Sequence, residues 1–125
     1  LLSHPHEVHP DTDSVSFFTE FSVGEEIEQM MGTRSSLVSH AREVVERALR
    51  GVEAPKVRGG VVVYCGGCVG AVEDRMDEVA HMFGDAVGGA PFIGAATYGE
   101  VGTFSIAGDR VTRHGNLMCD ALLFG

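Results

Sequence analysis

The chain has 125 residues, 44% hydrophobic and 22% charged, the composition of one globular domain with a real core; it excludes a disordered, collagen-like or disulfide-scaffold chain. Nine basic residues, of which only Lys56 is a lysine, stand against eighteen acidic ones, for a formal charge of −9. That surplus argues against nucleic acid and against an anionic membrane surface, since both require a basic face.

Residues 1–13 carry two prolines, His4, His6, His9 and Asp11-Thr12-Asp13, and read as a loose lead-in. The histidine tract suggests metal, but His6-Glu7-Val8-His9 lacks the HExxH spacing and Pro5 and Pro10 exclude a helix, so no metal site is expected. The start has neither a methionine nor a signal-peptide pattern, and the chain reads as one domain, a piece of a longer protein. No apolar run approaches the ~18 residues that cross a bilayer, so no membrane partner is expected. Three cysteines leave one unpaired in any disulfide scheme, which suits a reducing compartment and a cytoplasmic location.

Ser14–Phe21 has the β-propensity of a strand. Glu25–Met31 is ambiguous between a strand and a helical turn. A helix over Ser36–Arg50 comes next, capped by Thr33 or Ser35, with apolar residues from Leu37 to Leu49 at helical spacing and a stop at Gly51 and Pro55. Val61-Val62-Val63-Tyr64-Cys65 is an unbroken apolar run, read as a central strand covered on both faces. Gly66–Gly70 reads as a glycine loop, Val72–Phe83 as a second helix and Pro91–Tyr98 as a third strand. Thr103–Ala107 and Arg110–Thr112 flank Gly108-Asp109, a hairpin signal, and Asn116–Phe124 is a last strand. The order predicts an α/β (α+β) domain: a mixed sheet, two main helices packed on it, and a C-terminal antiparallel meander.

Cys65-Gly66-Gly67-Cys68 joins a strand to a helix, the context of a thioredoxin-like dithiol; the preferred reading is two incidental cysteines on a ligand-binding loop, with the dithiol as the alternative. Zinc would need Cys119 and a histidine as third and fourth ligands, and no second knuckle supplies them. The loop through Gly70 has no lysine and no GxGxxG, so it is neither a Walker A loop nor a dinucleotide fingerprint, although it could cradle a small anion at a helix start. Tyr98-Gly99-Glu100 and His114-Gly115-Asn116 are polar clusters at strand ends. Parallel strands at 61–65 and 92–98 would bring the first of them to the same sheet edge as the loop, where ligand sites form. Glu100 could then accept from an ammonium group and Asn116 could donate and accept.

Three segments resemble the C-terminal domain of FIST proteins, named for F-box and intracellular signal transduction proteins: Gly60–Cys65; Ala90–Gly94 running to Thr97-Tyr98-Gly99-Glu100-Val101-Gly102; and Asn116 leading into Leu122–Gly125. Phe21–Met31 with Gly24 is similar to the family's early strand region. The resemblance implies a sensory, ligand-binding domain and not an enzyme, with Cys65, Gly66, Gly99, Glu100 and Asn116 at motif positions. Two departures stand out: Gly67 and Cys68 occupy the region where the family often places an arginine, and Gly115 separates His114 from Asn116. The candidate ligand-binding set is therefore Cys65, Gly66, Gly67, Cys68, Gly70, Tyr98, Gly99, Glu100, His114 and Asn116. No catalytic residue, metal or cofactor is implied. The expected partners are a small molecule, an amino acid among the candidates, and a signalling output domain or partner protein; a homo-oligomer is left open. The competing readings are a thiol–disulfide oxidoreductase using Cys65 and Cys68 and a protein-interaction module without a pocket.

Overall fold

The computed structural model describes residues 2–50, 56–106 and 108–125. The expected helix stop at Gly51 and Pro55, and Ala107 at the hairpin, lie outside the described residues. The chain opens not with a loose lead-in but with an antiparallel hairpin of β1 (Pro5–His9) and β2 (Ser14–Phe17) around a turn of 3-10 helix at Pro10–Thr12. β-branched and aromatic residues at 15 and 17 pair with Val8 and Pro5, which the proline and histidine content had masked. The second strand is shorter than Ser14–Phe21, and Glu25–Met31 takes neither of its two expected forms: it has no regular structure.

Helix α1 (Arg34–Leu49) starts at Thr33, whose hydroxyl accepts from the Ser36 N–H at 3.0 Å while the Ser36 hydroxyl accepts from the Thr33 N–H at 2.9 Å. This reciprocal cap satisfies two donors that a helix start leaves open. The helix buries Val38, Ala41 and Val45, one face at helical spacing. Strand β3 (Gly59–Cys65) runs directly into α2 (Gly66–Val72), so the glycine loop expected at Gly66–Gly70 is helical. A 3-10 turn at Glu73–Arg75 then leads to α3 (Met76–Ala86), and the expected single second helix is in two pieces. β4 (Phe92–Thr97) returns parallel to β3, Gly60 opposite Phe92 and Cys65 opposite Thr97.

The expected C-terminal meander is divided. β5 (Glu100–Ile106) and β6 (Asp109–Gly115) form a two-stranded hairpin, whereas β7 (Cys119–Phe124) leaves it to pair antiparallel with β3. The mixed sheet therefore has the order β4-β3-β7, with β3 in the centre. Its two faces differ. Gly60, Val62 and Tyr64, with Cys119, Ala121 and Leu123 opposite them, face α1–α3 and join the core with Val79 and Phe83. The Tyr64 hydroxyl donates to the Leu37 carbonyl at 3.1 Å, tying the central strand to the first turn of α1.

The other face corrects the expectation of cover on both sides. β5 crosses only its C-terminal end, where Gly102 lies against Met118 and Asp120. Beyond that, Val61 is 37% exposed, Phe124 49%, Leu122 61% and Ile93 69%. These residues share one face: Val61 stands opposite Ile93 on one side and Leu122 on the other, and Phe124 lies two residues along β7 from Leu122.

Candidate functional site

Parallel pairing of β3 and β4 puts Cys65 and Thr97 side by side at the sheet's C-terminal edge. There the chain turns at Tyr98-Gly99 into β5. Gly99 has φ +95°, a conformation that side chains disfavour, and the His114 ring lies 3.4 Å from where its Cβ would stand. The Tyr98 ring covers Gly66 so closely that a Cβ on Gly66 would meet it at 2.9 Å; a residue larger than glycine would have to displace the ring. The structure thus gathers Cys65, Gly66, Cys68, Tyr98, Gly99, Glu100 and His114 at one edge. Gly67 lies beside Leu117, which would stand 3.8 Å from a Cβ there, and Gly70 has open space around it. Asn116 is engaged elsewhere: its side-chain oxygen accepts from the His4 N–H at 3.2 Å and its own N–H bonds the Leu2 carbonyl, so it holds the N-terminal hairpin. Its neighbour Leu117 adopts φ +56°, a strained position for a branched apolar residue.

The chemistry of this edge rests on Glu100. It is 1% exposed, the one buried charged side chain among the described residues. Oε1 accepts from the Thr97 hydroxyl at 3.2 Å, while Oε2 is buried without a partner. Asp120 Oδ2 is buried and unpartnered in the same way. Burial, then the neighbouring Glu100, holds the Asp120 carboxyl above the usual range. Burial pushes the Cys68 thiol up to about 12, helped by Cys65 and Glu100, and the Cys119 thiol up to about 12, helped by Asp120 and Cys68. Tyr64 is raised by burial and by the three thiols. Every group that acts on these residues is itself an acid. Among the described residues no basic side chain makes an ion pair with Glu100 or Asp120, and an unpaired buried carboxylate is costly.

Asp120 escaped the sequence reading, yet it left a signal: it is the one charged residue in the otherwise apolar Cys119–Phe124. The three cysteines are free and buried. A reactive thiol is exposed and depressed in pKa, and Cys68 is the opposite on both counts. Among the described residues no group of three or more histidine, cysteine or carboxylate side chains could hold a metal ion, and no described helix is long and apolar enough to cross a membrane. An apolar cleft of about 270 Å³ lies between α3 and β4, lined by Tyr64, Met76, Val79, Phe83 and the small residues of β4; Glu100 and Asn116 do not line it.

A family model described as the FIST C domain matches residues 1–103. The match takes in Cys65–Gly70 and Tyr98–Gly102 and ends before His114, Asn116 and Asp120. No curated protein and no solved structure matches the chain. The chain belongs to the FIST C domain family, a family associated with signal transduction and not known for enzymatic activity.

Proposed function

We propose that this FIST C domain is a sensory module that binds a small molecule carrying an ammonium group, an amino acid being the simplest case, at the C-terminal edge of β3 and β4. The observation that supports it most is the unpaired Oε2 of the fully buried Glu100. A native fold pairs its buried polar groups, and an ammonium group supplies donors and a positive charge for that carboxylate. Asp120 Oδ2 offers a second acceptor. Glu100 and Gly102 are themselves part of the β5–β6 hairpin, so a ligand that reaches the buried Oε2 shifts that hairpin against the β3–β4 edge. That displacement couples binding to a movement that a signalling output domain or partner protein can read. Three unpaired thiols favour a reducing compartment, the cytoplasm, as the place where it works.

A thermal-shift screen of amino acids, simple amines and simple carboxylic acids tests the reading. A ligand at about 100 times its dissociation constant adds about 2.7 kcal/mol of stability. Amino acids and amines should shift the midpoint, and Glu100→Gln should abolish that response. A response confined to acids without an ammonium group, or one that Glu100→Gln leaves intact, would overturn it.

A further inference from the structure

Val23, Ile27, Met30 and Met31 are 109%, 68%, 67% and 93% exposed, although four such side chains in nine residues are costly to leave in water. Of the aromatic residues just before them, Phe18 and Phe21 are 58% and 44% exposed but have ring partners, Phe18 against His6 and Phe21 edge-on against Phe17. The spacing i, i+4, i+7, i+8 puts all four on one helical face, with Glu25, Glu26 and Glu28 off it. The start of such a helix has its capping residues but not its backbone, since Gly24 stands at φ +93° and must turn to negative φ for the helix to begin. Ser22-Val23-Gly24-Glu25 has the serine-to-glutamate spacing of a capping box, and Glu25 Oε2 already accepts from the Ser22 N–H at 3.0 Å. Gly32 marks the stop, one residue before the cap of α1. A helix of nine residues on its own is marginal in water, which accounts for the irregular backbone of this segment.

The same chain presents a surface that wants such a helix. Val61, Ile93, Leu122 and Phe124 form an apolar sheet face without cover, and β4 beside it is an edge strand with no charge, bulge or internal proline to guard it. A nine-residue helix is ~14 Å long, and three strands span ~10 Å across at their ~4.8 Å spacing, so one helix covers the open part of the face. Charge is complementary as well. Arg34, Arg42, Arg47 and Arg75, on α1 and the α2–α3 junction, all have carboxylate partners. Arg58, which bonds the Phe124 carbonyl through its N–H at the rim of the open face, and Arg110 and Arg113 on the hairpin are in none of the described ion pairs. Neither are Glu25, Glu26 and Glu28 of the segment.

We propose that two copies of this chain associate by reciprocal exchange, the Val23–Met31 segment of each folding as a short helix across the open sheet face of the other. One such contact removes on the order of 800 Å² from water, below the range of specific interfaces, whereas the two related by a twofold axis remove on the order of 1,600 Å², inside it. That arithmetic favours the symmetric pair over a one-way contact.

Sedimentation of the chain from sub-micromolar to millimolar concentration tests it, with Ile27→Asp in the segment and Leu122→Asp on the face. Both positions are exposed, so both variants should fold with unchanged thermal midpoints at the lowest concentration. Dimer is expected in the parent, with helicity rising as it forms, and each variant should weaken dimerisation by about tenfold or more. Hydrogen exchange over residues 22–31 supplies the second readout, with protection expected in the dimer alone. A parent chain that stays monomeric throughout, a dimer untouched by either variant, or protection of 22–31 in the monomer, which would put the segment on its own sheet, overturns the proposal.

Discussion

One sheet has two faces built from the same kind of residue, and they meet different fates. On the helix face Val62 is 2% exposed and Tyr64 5%; one residue along on the same strand, Val61 is 37% exposed. Strand alternation alone sends neighbours to opposite sides. The difference comes from the connections between the strands. The crossover from β3 to β4 carries α2 and α3, and α1 precedes β3; all three pack on one side. The connection from β4 to β7 is a hairpin, which reaches the other side only at the strand ends. An unbroken apolar run states what a strand needs. Whether the same chain meets that need depends on connections far from the run.

The sharpest way to break this comparison is to cut a large apolar side chain from the covered face. Phe83, 3% exposed, packs its ring against Phe92 at 5.9 Å. Phe83→Ala should cost about 3–5 kcal/mol in chemical denaturation, because it leaves a cavity in the covered core. A loss under about 1 kcal/mol would mean that the helix face is not the core.

Alkaline pH separates the faces next. Cys119 lies on the helix face and Cys68 in α2, and both thiols titrate near 12 in the folded chain against about 8.5 when unfolded. Between those values the folded chain holds more protons than the unfolded one, so stability is full below about 8.5 and falls as pH rises toward 12. Cys68→Ala and Cys119→Ala should each flatten that decline in urea titrations run across the range. A slope unchanged in both variants would show that the thiols are not sealed.

Asp120 is the polar exception on the other face, at the end β5 covers. Its raised carboxyl, shifted by burial and then by Glu100, binds a proton more tightly in the folded chain than in the unfolded one. Stability should therefore be full below the ordinary carboxylate value of about 4 and decline as pH climbs through the folded value. Asp120→Asn should remove this decline and stabilise the chain at neutral pH. Destabilisation by Asp120→Asn would point to a cationic partner for that carboxylate in the free protein. A smaller effect belongs to Tyr64→Phe, which deletes the hydroxyl bond to the Leu37 carbonyl and should cost about 1 kcal/mol.

The sequence made the framework of β3, α1, β4 and the β5–β6 turn legible because each carries a local signal: an unbroken apolar run, a capped periodic stretch, a Gly-Asp turn. The strand ends also placed Gly66, Tyr98 and Glu100 together, since parallel pairing fixes which ends meet. Three features were not legible. Gly66–Gly70 looks like a loop by composition, yet strand and helix join there without one, because Cys68 and Val72 are drawn into the core. Asn116 looks like a site residue, but its partner is the backbone of residues 2–4, more than a hundred positions away. Asp120 becomes notable only when β7 leaves the hairpin and seats it under Gly102, and no local pattern encodes that departure.

The smallest expected effect is the one that sharpens the comparison most. Ile93 is as apolar as any residue of the core, but it is 69% exposed on the open face. At a concentration where the chain is monomeric, Ile93→Ser should change stability by no more than about 0.5 kcal/mol, the range of a surface substitution. Val62→Ser, one strand away on the covered face, should cost several times that, since it buries an unpaired hydroxyl and removes core volume. Both changes exchange a branched apolar side chain for the same small polar one, so the ratio of their costs measures cover and not chemistry. A ratio near one at low concentration would place cover over Ile93 within a single chain. A ratio that starts large and falls as concentration rises would locate that cover in a second chain, because association then makes Ile93 a buried residue as well.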